Sequence, residues 1–263
     1  MEIKFKNISL KKGNKIILND LDLTISNDVI TGIYNNHFLK YIFLDNIEYD
    51  GEILIDNNNY KSINKNIISC INGERTYLTK TISDEFYLVK RNMFDDTDYV
   101  EKVISSLNMV GLDKDYLDRE VDFLSKSEKV LLNIALSLII NPEIIILDNI
   151  FINLDNKHKL IIKKLVYELK KKYKKMIIII DKDINVLYDV CNYFILFGNK
   201  NAISNKKSLV FKDLNSLKEN DIEIPEIIKF IDNASSYDVK LSYYNDVNDL
   251  IKDVYRNVNK NKR

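Results

Sequence analysis

Glycine is scarce in this chain. There are 6 in 263 residues, where an average usage of about 7% would give roughly 18. Glycine supplies positive φ and lets backbone approach a phosphate closely, so the shortage restricts where a phosphate-binding loop could lie. Histidine is rarer still: His37 and His158 are the only two, which argues against a Ser-His-Asp triad or a histidine-rich metal site. Cys70 and Cys191 are far apart and form no CxxC, the pattern expected of a reduced, cytosolic protein. No apolar run approaches the roughly 18 residues of a membrane span. The N-terminus MEIKFKNISL alternates charged and apolar residues, unlike a secretory signal. Any membrane role is therefore expected to come through a partner. A formal net charge of +0 argues against a general nucleic-acid or acidic-membrane binder.

What is present is globular. Hydrophobic residues make up 46% and charged residues 30%, outside the disordered range, and the length predicts one domain with subdomains. Glu2–Ser9, Leu21–Ile25 and Glu52–Ile55 read as strands, the latter two near the turn signals Asn19-Asp20 and Asp50-Gly51. Val29–Tyr34 reads as a short buried strand. Val100, Val103, Ile104, Leu107 and Val110 recur at helical spacing, and Gly111 provides the stop. Val130, Leu131, Ile134, Ala135 and Leu138 mark a second helix. Ile144–Leu147 and Met176–Ile180 are continuous apolar runs on either side of an amphipathic stretch, Lys157–Tyr173. That order predicts a βαβ unit with parallel strands buried on both faces. Tyr193–Phe197 adds a strand. Beyond about residue 206 the pattern turns polar and helical, including Ile224–Ile228 and Val247–Val254, and the tail Asn257–Arg263 is expected to fray. The basic run Lys170–Lys175 reads as cations complementing a helix C-terminus.

The stretch Leu124–Asp155, LSKSEKVLLNIALSLIINPEIIILDNIFINLD, places a polar loop before an apolar helix, then Asn141-Pro142, a β-branched strand, an acid, and a loop ending in Asp155. With IKFKNISLKKGNKIILNDLDLTI, GEILIDNN, NMVGLDKDYLDREVDFLS and DIEIPEIIKFIDNASSYDVKL in the same order, the chain resembles the ATP-binding subunit of an energy-coupling factor (ECF) importer, an ABC-family protein. The resemblance covers nearly the whole chain. It implies an α/β, P-loop NTPase-like cassette over 1–205, with a mostly parallel core sheet, an N-terminal antiparallel β subdomain and a helical subdomain at about 81–136. A C-terminal extension occupies 206–263.

The departures from the family pattern concern chemistry. A P-loop needs GxxxxGK[ST], so that backbone N–H groups cradle phosphate and a hydroxyl holds Mg²⁺. The matching stretch is Tyr34, Asn35, Asn36, His37, Phe38, Leu39, Lys40, Tyr41 and Ile42, in which only Lys40 is kept. Phe38 and Leu39 are expected to set bulky side chains where backbone should wrap phosphate. Lys40 itself is open to a second reading, an ordinary exposed lysine. Lys12 stands where an adenine-stacking aromatic is implied, and Asn72 or Gly73 at the position of the glutamine that senses Mg²⁺. Asp148 keeps the acid of the Walker B strand and would be the Mg²⁺ ligand. Asn149 replaces the general base with an amide of no useful basicity, and Lys182 replaces the switch histidine. The signature loop reads Leu124-Ser125-Lys126-Ser127-Glu128. Ser125 is kept, as a helix N-cap alone or as a cap that also meets a phosphate, whereas Glu128 would weaken anion binding. Asp155 holds the position that communicates across the family's dimer.

The resemblance thus implies ATP and Mg²⁺ as cofactors, weakly held or lost at the chain's own face and contacted in trans at a partner's. The implied partners are a second ABC ATPase subunit, a membrane coupling subunit and a substrate-binding membrane subunit, with the chain peripheral on the inner face of the cell membrane. The implied cargo is a vitamin or metal ion. Two alternatives stand beside this reading: a non-transport scaffold on the same fold, and a working ATPase with unusual loops.

Overall fold

The computed structural model describes residues 1–90, 98–199, 202–235, 241 and 250–255. The tail at 257–263, residues 247–249 and the stretch 91–97 of the expected helical region lie outside the described residues. The chain divides into two compact units, one of residues 1–30 and 36–180, the other of residues 31–35 and 181–263.

Two long strands, β1 (Glu2–Lys12) and β2 (Lys15–Ser26), open the first unit. After β3 (Ile30–Tyr34), whose residues from 31 onward fall in the second unit, come α1 (Phe38–Phe43), β4 (Tyr49–Ile55) and the two-residue β5 (Asn58–Asn59). The order β2-β1-β4-β5 makes an antiparallel sheet, whose alternating Ile3, Phe5, Ile53 and Ile55 are buried. Gly51 is required there. Its φ is 100°, and a Cβ would lie 2.5 Å from the carbonyl oxygens of Lys6 and Asn7.

Further along are β6 (Ile68–Asn72), α2 (Ile82–Lys90), α3 (Tyr99–Met109), α4 (Lys126–Leu138), β7 (Ile144–Asp148), α5 (Asn156–Lys171) and β8 (Met176–Asp181). As the apolar runs predict, β7 and β8 are buried throughout and pair in parallel, and β6 joins the other side of β7, also in parallel. The register sets Asn72 beside Asp148. Both thus emerge at the C-terminal edge of parallel strands, where open α/β sheets place their ligands. α2 and α3 pack on α4. α3 buries Val103 and Leu107 and stops at Gly111 with φ 81°, although Val100, expected on the apolar stripe, is 64% exposed. Lys170 and Lys171 fall in the last turn of α5 as expected. The Lys170 ammonium donates to the Asn27 side chain, and that of Lys175 to Asn141.

In the second unit β3 pairs in parallel with β9 (Tyr193–Phe197), which pairs antiparallel with β10 (Ala202–Lys206). α6 (Ile184–Val190) precedes β9, and α7 (Lys207–Val210), α8 (Leu214–Glu219) and α9 (Glu226–Ser235) follow β10.

The shortage of glycine is met by asparagine and aspartate. Asn7, Asp20, Asn35, Asn46, Asp56, Asn57, Asn141, Asn149 and Asp221 all adopt positive φ. Short polar side chains tolerate the left-handed region better than other L-residues, because they can hydrogen-bond locally.

Candidate functional site

The phosphate-loop segment is built without a glycine. Tyr34 and Asn35 belong to the second unit, where Tyr34 is buried, and Asn35 has φ 61° and donates its N–H to the Asp181 carbonyl at 3.4 Å. In the first unit the Asn36 carboxamide oxygen accepts the Phe38 N–H at 2.9 Å. Phe38 and Leu39 do not obstruct the loop as the sequence suggested. Both are fully buried, and the Phe38 ring lies edge-on to Phe5 at 5.4 Å. Burying each side chain contributes roughly 1.5–3 kcal/mol. Ile42 is buried with them. Lys40 and Tyr41 stay partly exposed, and the Lys12 ammonium stands 4.3 Å from the Tyr41 ring centroid.

Asp148 has a partner that its sequence neighbours do not announce. His37 Nδ1 lies 2.7 Å from Asp148 Oδ1, and the Asp148 side chain is 3% exposed. The other oxygen, Oδ2, is buried without a hydrogen-bond partner among the described residues. Asn149 follows with φ 55° and donates its N–H to the Ile180 carbonyl. His37, Lys40, Tyr41, Asn72, Asp148 and Asn149 come together around a cavity of about 330 Å³. The Asn72 carbonyl accepts from buried Asn133 of α4 at 2.9 Å. Arg75 reaches the same Asn133, and its guanidinium is 3.7 Å from buried Glu85 of α2. Glu85 in turn accepts the N–H groups of Leu78 and Thr79 at 2.5 and 2.8 Å. Sequence reasoning passed over this pinned loop, whose contacts lie between elements.

These residues do not fit a Mg²⁺-nucleotide in the usual manner. The N–H at the start of α1 is satisfied by Asn36, Tyr41 and Ile42 offer no small hydroxyl to a metal, and one oxygen of Asp148 is taken by His37.

The signature side is differently built. Ser125 caps α4, its hydroxyl accepting the Glu128 N–H while the Glu128 carboxylate accepts the Ser125 N–H at 2.8 Å. This capping box satisfies two donors at once. Glu128 is therefore held by the loop itself: it also accepts the Tyr116 hydroxyl, and Arg119 stacks on Tyr116 and stands 4.0 Å from the carboxylate. Partial burial pushes the Glu128 carboxyl up, but the bonds from Ser125, then Tyr116 and Arg119, outweigh it and leave it below the ordinary value. The Ser127 hydroxyl donates to the Asn153 carbonyl and accepts the Asp155 N–H, each at 3.1 Å. Asp155 caps α5, and the His158 backbone N–H, then its ring, hold the Asp155 carboxyl below its usual range. Lys182 is an exposed residue of the second unit, followed by Asp183 at the N-cap of α6.

Parallel strands ending in Asn72 and Asp148, a capped helix behind a polar loop, and a second capped helix after the acid define an ATP-binding cassette. The family model described as ABC transporter matches residues 37–151. The energy-coupling factor transporter ATP-binding protein EcfA1 of Mesomycoplasma hyopneumoniae is 31% identical over 185 residues, covering 70% of this chain and 67% of that protein. Among solved structures, CbiO1 of Clostridium perfringens, part of the ABC transporter complex CbiONQ, matches with a TM-score of 0.70 at 20% identity over 88% of this chain and 98% of that one. The dimeric cassette MJ0796 bound to ADP and Pi matches with a TM-score of 0.66 at 20% identity over 78% of this chain and 98% of that one. The chain belongs to the ABC transporter family, among the ATP-binding proteins of ECF-type transporters.

Proposed function

We propose that this chain is the catalytically degenerate half of a nucleotide-binding heterodimer in an ECF-type importer. Its cassette, over 1–205, pairs with a second ABC ATPase subunit. The helical region near 81–108 docks a membrane coupling subunit, and a separate membrane subunit binds the vitamin or metal ion, so the chain lies on the cytoplasmic face of the membrane. No helix among the described residues is long and apolar enough to cross a bilayer itself. ATP and Mg²⁺ are the family's ligands, and here the signature face of Ser125, Ser127 and Asp155 meets the partner's ATP in trans.

The observation that carries this reading is the contrast between the two faces. On one, Asn36 and His37 occupy the groups that phosphate and metal would use; on the other, Ser125, Ser127 and Asp155 hold two helix N-termini in place. The dimeric ADP-bound cassette among the structural neighbours supports the pairing as a model.

The test is ATP turnover by the purified chain, alone and co-expressed with an intact cassette ATPase and membrane coupling protein. Turnover is expected only in the assembly, and Ser125→Ala in this chain lowers it there. Hydrolysis by the isolated chain, or failure to co-purify with a membrane coupling protein, overturns the reading.

A further inference from the structure

We infer that His37 takes the place of the divalent cation beside Asp148, which makes this chain's own nucleotide face independent of metal. In P-loop NTPases Mg²⁺ is held by a P-loop Ser/Thr and a Walker B Asp. A carboxylate as buried as that of Asp148, 3% exposed, needs a counter-charge or donor. Here it has one within the chain. An ionised carboxylate only accepts hydrogen bonds, so against one His37 donates through Nδ1, and 2.7 Å is the length of a charge-assisted bond.

The surroundings point the same way. Mg²⁺ demands near-octahedral oxygen ligands at about 2.0–2.1 Å. Asp148 offers Oδ1 already bonded to His37, while its buried Oδ2 has no hydrogen-bond partner among the described residues. Lys40 and Glu74 line the same cavity. The bond joins residues 111 apart in sequence, so it also fastens the loop before α1 to the end of β7. The inference rests on the poor nucleotide binding proposed for this face and explains it by an internal substitute for the metal.

With only two histidines, the imidazole ¹⁵N spectrum of the full-length chain reads His37 directly, His158→Gln assigning the other ring. The expected spectrum has His37 protonated at Nδ1, unchanged by millimolar Mg²⁺ and unbroadened by Mn²⁺, with or without ATP. Asp148→Asn, nearly isosteric, shifts it. A fluorescent ATP analogue binds with the same affinity in Mg²⁺ and in EDTA, within about twofold. Mn²⁺ broadening of His37 beyond His158, an unchanged His37 spectrum in Asp148→Asn, or Mg²⁺ tightening nucleotide binding by about tenfold or more overturns the inference. A free His37 with weak, metal-insensitive nucleotide binding defeats this inference alone. Turnover in the assembled complex judges the heterodimer reading separately.

Discussion

The Ser127 hydroxyl accepts the backbone N–H of Asp155 at 3.1 Å, tying the loop that opens α4 to the loop that opens α5. The same oxygen donates to the Asn153 carbonyl. Ser127→Ala leaves both backbone groups without this partner and is expected to destabilise the chain by about 1–3 kcal/mol. Urea unfolding followed by circular dichroism measures it. An unchanged midpoint would show that the two loops are held apart from this hydroxyl.

The capping box predicts a particular acid response. The folded Glu128 carboxyl lies below its ordinary value, so its bonds stabilise the fold above the unfolded value, about 4.3. That contribution is lost as pH falls through the folded value. Glu128→Gln removes this part of the acid limb and flattens the fall in melting temperature below the usual glutamate range. An identical limb in both proteins contradicts the assignment. Ser125→Ala, which removes the other half of the box, is expected to cost about 1 kcal/mol.

On the proposed reading, a glutamate placed at position 149 is not enough by itself to give ATP turnover. Asn149 sits at φ 55°, a region that costs most L-residues roughly 1–2 kcal/mol and asparagine less. Asn149→Glu is therefore expected to lose about 1 kcal/mol of stability and to show no ATP turnover in the isolated chain. A phosphate-release assay checks the second point, and any turnover above the parent protein means that Asn149 was the sole barrier.

Glu85, 1% exposed, holds the segment after β6 by accepting from Leu78 and Thr79. Glu85→Ala strands those N–H groups, at about 1–3 kcal/mol for each one left unsatisfied, whereas Glu85→Gln retains an acceptor and loses less. Hydrogen exchange at Leu78 and Thr79 distinguishes the two variants. Protection that survives in Glu85→Ala would assign those amides another acceptor.

The legible parts of the fold were those in which local pattern and tertiary role agree. Ile144–Leu147 and Met176–Ile180 are apolar throughout because they are buried on both faces, and Ser125 reads as the helix N-cap that it is. β6 was not legible: Ile68, Ser69 and Cys70 are only partly buried and show no clean alternation. α2 was hidden in the mixed run ISDEFYLVK, of which Ile82, Glu85 and Phe86 are buried.

The candidate site was half legible. Order along the chain marked Asp148, Asn149 and Ser125 as candidates, but order carries no information about side-chain direction. Phe38 and Leu39 looked like obstructions, yet a helical turn begins at Phe38 and sends both into the core. The partner of Asp148 was out of reach for a different reason. A contact between positions 37 and 148 leaves no periodicity, and a histidine beside a short helix is uninformative until the fold brings the acid to it.

The burial of Phe38 and Leu39 bears on what keeps the first helical turn in order. A loop shaped by a bound ligand gains stability in proportion to the logarithm of that ligand's concentration. A loop shaped by apolar side chains answers to temperature instead, and its hold weakens on cooling. In this chain the turn at Phe38 is anchored by aromatic packing on Phe5, so its integrity follows the thermometer.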